Sequence, residues 1–131
     1  MANWFRFTLL ATAIMNFVGA VVFALPIYGK GEIFGLPQNA HPLYLSIVSS
    51  WILIFGLGYI WMAVSAKPDR LFIAVAATCK LAIAFSFFTF WLMGDLPLLT
   101  VSAGSGDLLF AIVFIYWLLP TKRETKPGTL D

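Results

Sequence analysis

Four stretches of about twenty predominantly apolar residues follow one another along this chain, at about 7–27, 43–66, 71–93 and 96–119. Each is long enough to cross a hydrocarbon core of roughly 30 Å as a helix rising about 1.5 Å per residue. Helix is the only sensible backbone at that depth, because an unpaired N–H or C=O in lipid costs several kcal/mol. The expectation is an all-α, integral membrane four-helix bundle: a single transmembrane domain over 1–131, ending in a short polar tail at 120–131. Composition agrees, since 61% of the 131 residues are hydrophobic and only 11% are charged, a balance that belongs with membrane proteins.

The fourth stretch is the least uniform. Thr100, Ser102, Gly104, Ser105, Gly106 and Asp107 make its first half polar and rich in small residues. The strongly apolar part that follows, 108–119, is too short to cross alone. The helix is therefore expected to start near Leu96, with Asp95 as N-cap and Pro97 in the first turn, where a missing N–H costs little.

Basic residues set the expected orientation. Arg6, Lys67, Arg70, Lys122, Arg123 and Lys126 fall at the amino end, the second loop and the tail, while the first loop has only Lys30 and the third has none. By the positive-inside rule both termini are cytoplasmic. The net charge of +2 is then an insertion signal, and it gives no support to nucleic-acid binding. A signal peptide is a competing reading of the first stretch, with Val22 and Ala24 as a cleavage site. The apolar run is longer than a usual signal core and Pro26 follows closely, so a retained helix is expected.

One cysteine, Cys79, expected to be buried within the third span, gives no disulfide framework and no thiolate cluster. One histidine, His41, rules out a two-histidine haem site, and no metal is expected among the scattered acids. The cofactor, if any, is unknown. Trp4, Trp51, Trp61, Trp91, Trp117, Tyr28, Tyr44 and Tyr116 fall mostly toward span ends, as an interfacial belt does. Met15, Met62 and Met93 are read as apolar packing.

Against this background Lys80 is conspicuous, because it stands near the middle of the third stretch. A central Lys costs roughly 2.5–3.5 kcal/mol on insertion scales, and residues that bear such a cost usually face the bundle interior, find a partner and serve a function. Spacings of three, four and seven residues place side chains on one helix face. Ala13, Asn16, Ala20 and Ala24 share such a face in the first span, with Gly19 beside it. Ser49, Gly56, Tyr59 and Ala63 share one in the second, Ala76, Ala77, Lys80 and Ala84 in the third, and Gly104, Asp107 and Ala111 in the fourth. Small residues mark the faces on which membrane helices approach closely. The strongest polar residue of each helix thus lies on its packing face. At about 1.5 Å per residue, Lys80 lies roughly 20 Å and Asp107 roughly 16 Å below the outer ends of their helices, with Asn16 near Asp107 in depth and Tyr59 somewhat deeper.

The expected site is a mid-bilayer pocket lined by Asn16, Tyr59, Lys80 and Asp107, in which Tyr59 and Asn16 complete the hydrogen bonds around the charged pair. Such a set could bind the polar head of a lipophilic molecule, carry a proton or perform acid and base chemistry, since desolvation favours the neutral forms and pairing the charged ones. The plain alternative is a structural ion pair that fixes register. Membrane hydrogen bonds average only about 0.6 kcal/mol, a weak return for burying two ionisable groups, which favours a functional reading. In the first loop, 28–42, His41 and Glu32 are candidate outer contacts for a ligand or proton, against the plain reading as solvated loop residues. That loop, with Ile33, Phe34 and Leu36 among its glycines and prolines, reads as an outer cap or an ordinary connector.

The layout resembles the many small, uncharacterised bacterial four-helix membrane proteins, including those called DoxX-like. The resemblance covers the whole chain as size, topology and a polar third and fourth helix, carried by Lys80, by Asp95 to Pro97 and by Gly106 to Asp107. It implies the four-helix fold and a place in a bacterial inner membrane. This chain lacks the glutamate and arginine signature of glutathione-handling four-helix enzymes, the cysteine pair of quinone-linked thiol oxidases, and the first-helix glutamate of small multidrug exporters.

Three function classes follow. The first is a membrane protein that binds a small lipophilic molecule in the bundle core, with catalysis left open. A Schiff base at Lys80 with Asp107 as counter-ion uses the same residues, although four short helices leave limited room for a chromophore. The second is a structural or accessory subunit whose packing face continues onto a copy of itself or a larger membrane complex. The third is a proton-coupled small transporter. The lipid bilayer is a partner in all three.

Overall fold

The computed structural model describes residues 1–29 and 40–119. These form α1 (Asn3–Ala24), a short 3-10 turn (Leu25–Tyr28), α2 (Pro42–Ser65), α3 (Arg70–Leu92) and α4 (Leu98–Leu118). The described part is helical as expected, and all four α-helices are long and apolar enough to cross a membrane. The chain packs as two hairpins, α1 against α2 and α3 against α4, with a lighter contact between α1 and α4.

Large apolar side chains cover the outside. Ile14 and Val18 on α1, Trp51 and Ile54 on α2, Phe85 on α3, and Leu109 and Ile112 on α4 are all exposed. That outward display is what a lipid-facing surface requires and what water would oppose.

The inside is divided along its length. At the end where α2 meets α3, the core is bulky: Phe5, Leu9, Tyr59, Ile73 and Phe114 are buried together with Ala63 and Ala76. Phe5 stacks on Trp117 at 4.5 Å between ring centroids and meets Phe114 edge-on at 6.2 Å. Tyr59 meets Phe72 edge-on at 5.8 Å, so the rings bridge the two hairpins. Toward the opposite end the buried residues are on the whole smaller or polar, with Ala20, Ala84, Thr100 and Gly104 alongside Leu45 and Val101.

Several boundaries differ from the sequence expectation. Helix α1 begins at Asn3 rather than near residue 7, because Phe5 is completely buried and its packing holds the first turn in place. It gives way to the 3-10 turn at Leu25, where Pro26 interrupts the i→i−4 ladder. Helix α4 begins at Leu98 with Pro97 as its N-cap, and Asp95 is not the cap expected of it. The residue before a proline is driven out of the helical region. Leu96 therefore cannot open the helix, and Asp95 sits in the preceding turn with its N–H donating to the Phe90 carbonyl at 2.9 Å. Cys79 is exposed on the outer face of α3 rather than buried, since one residue before Lys80 on a helix points about 100° away from it.

The α2–α3 turn is tied down from both sides. Ala66 ends α2 at φ 55°, in the left-handed region usually given to glycine. Asp69 caps α3 by accepting from the Phe72 N–H at 2.8 Å. Arg70 reaches across to the end of α4, donating to the Leu118 carbonyl at 2.6 Å with its guanidinium 5.7 Å from the Trp117 ring. A cation at a helix C-terminus is favoured by the helix dipole.

Candidate functional site

The close approach of α1 and α2 begins the construction of the site. Gly56 on α2 leaves room for α1: a Cβ there would stand 3.2 Å from the Asn16 Cβ and 3.1 Å from the Phe17 ring. About two turns along α2, Ser49 donates to the Ala20 carbonyl at 2.7 Å, pinning the two helices again. Between these points the Asn16 amide donates to the Ile52 carbonyl at 2.9 Å. That bond fixes the amide and leaves the Asn16 oxygen to accept from Lys80.

Lys80 arrives from α3 among buried Ala76, Ala77 and Ala84. Its Nζ donates to Asn16 Oδ1 at 3.3 Å and to Asp107 Oδ1 at 3.0 Å. The Tyr59 ring lies 5.6 Å from Nζ and the Phe110 ring 5.8 Å. The ammonium is therefore surrounded by an amide oxygen, a carboxylate oxygen and two aromatic faces. Both rings fall within the roughly 6 Å at which a cation is attracted to an aromatic quadrupole, a contact that strengthens on desolvation. Lys80 and Asp107 form the ion pair found among the described residues, with side-chain exposures of 5% and 16%.

Three helices converge on Lys80 through hydrogen bonds and ion pairing, and α2 joins through the Tyr59 ring and the Ile52 carbonyl. The structure brings all four sequence-expected residues together. Tyr59 contributes differently from the expectation: the recorded contact to Lys80 is its ring face, not its hydroxyl.

Of the outer candidates, His41 is the N-cap of α2, its Nδ1 accepting from the Leu43 N–H at 3.1 Å, and its ring stands edge-on to Tyr44 at 6.3 Å. Glu32 lies outside the described residues.

Sequence reasoning missed two side chains at this level. Phe110 is three residues from Asp107 and therefore on the same side of α4, a spacing that could have revealed it. Thr12 is four residues before Asn16 on the buried face of α1; it is fully buried, and its Oγ1 has no hydrogen-bond partner among the described residues. A buried hydroxyl left so costs about 1–3 kcal/mol.

Chemically, the arrangement can hold a charge in an apolar interior, relay a proton between Asp107 and Lys80, or bind a polar group that competes for the carboxylate. Comparison of the chain with protein-family models, with curated proteins and with solved structures finds no match.

Proposed function

We propose that this chain is a multi-pass membrane protein that binds a small lipophilic molecule among its helices, with a hydrogen-bond donor at the molecule's polar end meeting Asp107. The observation that carries the reading is the unequal access of the ion pair: the Lys80 side chain is 5% exposed and enclosed by two acceptors and two rings, whereas Asp107 is 16% exposed. The carboxylate is the member of the pair that an incoming group can reach. Lys80 holds Asp107 in position, and Asn16, fixed by Ile52, holds Lys80.

The division of the core supports approach from one side. Phe5, Tyr59 and Phe114 fill the end of the bundle near the α2–α3 turn, while the other half carries the smaller Ala20 and Ala84, with the Phe87 ring lying over Gly104. With both termini cytoplasmic, as the positive-inside rule implies, the ligand enters from the outer leaflet. The setting is a cell membrane, a bacterial inner membrane in keeping with the DoxX-like layout.

The test is native mass spectrometry with extraction of bound small molecules, run on wild-type protein and on Lys80→Met combined with Asp107→Leu. The paired replacement removes both charges together and so avoids leaving one buried alone. The expected result is a small molecule that co-purifies with wild type and is lost from the folded double variant. If both proteins carry bulk lipid only and retain the same protein partner or oligomer, the ligand reading falls and the polar cluster is structural, in an accessory subunit.

A further inference from the structure

An open groove of about 850 Å³ runs between α2 and α3, outside the bundle core and separate from the Lys80 cluster. Its walls are apolar, with Phe55 and Trp61 from α2 and Phe72 and Val75 from α3. Gly58 forms its floor; a Cβ there would lie 2.5 Å from Phe72 Cζ, so the missing side chain is what lets the Phe72 ring lie against α2. On α2 the lining runs from Phe55 to Ser65, about 15 Å at ~1.5 Å per residue, whereas on α3 it runs only from Leu71 to Val75, about 6 Å. It is deeper along α2 than along α3, and it opens sideways beside the exposed Trp61 and Leu71.

At the turn end the lining changes from apolar to charged, with Lys67 and Asp69 both at the mouth. They form no ion pair with each other, and Lys67 is exposed. Asp69 is held in place because it caps α3 through Oδ1, accepting from Phe72 N–H. Arg70, the nearest other cation, is directed away onto the Leu118 carbonyl and the Trp117 ring. An apolar groove thus ends, at the α2–α3 turn, in a positive and a negative charge that do not pair with each other.

We propose that this groove binds one phospholipid with a zwitterionic primary-ammonium headgroup, an ethanolamine phospholipid. An acyl chain lies along Phe55, Phe72 and Val75, the phosphate meets Lys67, and the ammonium donates to the carboxylate of Asp69. A choline headgroup fits less well because its methylated nitrogen has no N–H to donate, and a glycerol headgroup lacks the cation. This inference is independent of the ligand reading at Asp107, and neither its success nor its failure bears on that site.

The experiment reconstitutes delipidated full-length protein in nanodiscs with equal parts of ethanolamine, choline and glycerol phospholipids. Lipid retained on ejected protein is then counted by native mass spectrometry. Wild type is expected to retain the ethanolamine lipid over each of the others by roughly fivefold, the factor that about 1 kcal/mol of interfacial charge contact gives. Lys67→Ala and Asp69→Asn should each remove that preference; asparagine caps a helix as well as aspartate does, so the second change removes charge and leaves α3 capped. Val75→Trp, which fills the groove from an exposed position, should remove the retained lipid altogether. Equal retention of the three headgroups, a preference for the glycerol lipid, or an ethanolamine preference unchanged in Asp69→Asn would overturn the proposal.

Discussion

Lys80 Nζ stands 3.0 Å from Asp107 Oδ1, linking the middle of α3 to α4 between helices that are apolar over most of their length. The lysine of the pair is enclosed, with a side chain 5% exposed, and the aspartate is the more accessible at 16%. That asymmetry gives the first expected outcome. Lys80→Ala leaves the carboxylate without its cation and should lower stability by roughly 3–5 kcal/mol, whereas Lys80→Met with Asp107→Leu should return to within about 1 kcal/mol of wild type. Reversible unfolding in mixed micelles measures both. A double variant as unstable as the single one would mean that the pair itself holds the bundle together.

Asn16 bridges the Ile52 carbonyl and Lys80. Asn16→Leu should therefore cost on the order of 1–2 kcal/mol, the range of one or two interhelical hydrogen bonds in a membrane. Combined with Lys80→Met, its effect should be less than additive, because the two residues share a bond. Strict additivity in the double-mutant cycle would show that Asn16 acts on α2 alone.

Gly58 faces the Phe72 ring so closely that an added methyl must displace it. The ring cannot swing freely, because it packs against Phe55 at 5.4 Å and Tyr59 at 5.8 Å. Gly58→Ala should lower the unfolding midpoint by an amount corresponding to about 1–3 kcal/mol, the usual cost of overpacking. Adding Phe72→Leu should recover much of that loss in the same assay.

Phe5 is fully buried near the start of α1 and stacks on Trp117 of α4. Phe5→Ala should cost roughly 3–5 kcal/mol, as large-to-small changes of buried aromatics do. It should also free the first turn of α1, seen as faster amide exchange over residues 3–8 while exchange in α3 stays slow.

Cys79 and Lys80 are neighbours in sequence with opposite surroundings, one exposed on the helix surface and the other enclosed. A nitroxide attached at Cys79 in reconstituted protein should collide with dissolved oxygen far more often than with a water-soluble nickel complex, as a lipid-facing probe does. Preferential collision with the nickel complex would place that face of α3 in water and contradict the membrane-spanning reading.

Much of the site could be read before any coordinates, and the reason lies in helix geometry. Asn16, Lys80 and Asp107 each fall on a stripe of alanines and glycines, and in lipid only such stripes let backbones come close. A charge on a stripe must therefore meet whatever the next stripe carries. Tyr59 was found by the same argument, but not the way it acts. Spacing gives the face on which a ring lies, whereas ring-face or hydroxyl contact depends on how two helices are rotated and slid against each other. Phe110 and Thr12 were missed because an aromatic or a threonine in an apolar span looks like packing until its neighbours are known.

The boundaries show the same division. Length and hydropathy alone determined four helices long and apolar enough to span a membrane, since a helix satisfies its own backbone polar groups in hydrocarbon. They could not determine that α1 begins at Asn3, which depends on Phe5 finding Trp117, 112 residues away in sequence. The start of α4 at Leu98 was legible in principle, because Pro97 restricts Leu96 whatever the rest of the chain does. The pairing of helices into two hairpins, the burial of Phe5 under Trp117, the exposure of Cys79 and the groove ending at Lys67 and Asp69 were decided only by the tertiary structure. A sequence sets which faces of its helices are sticky; how those faces are distributed among neighbours is a property of the assembled bundle.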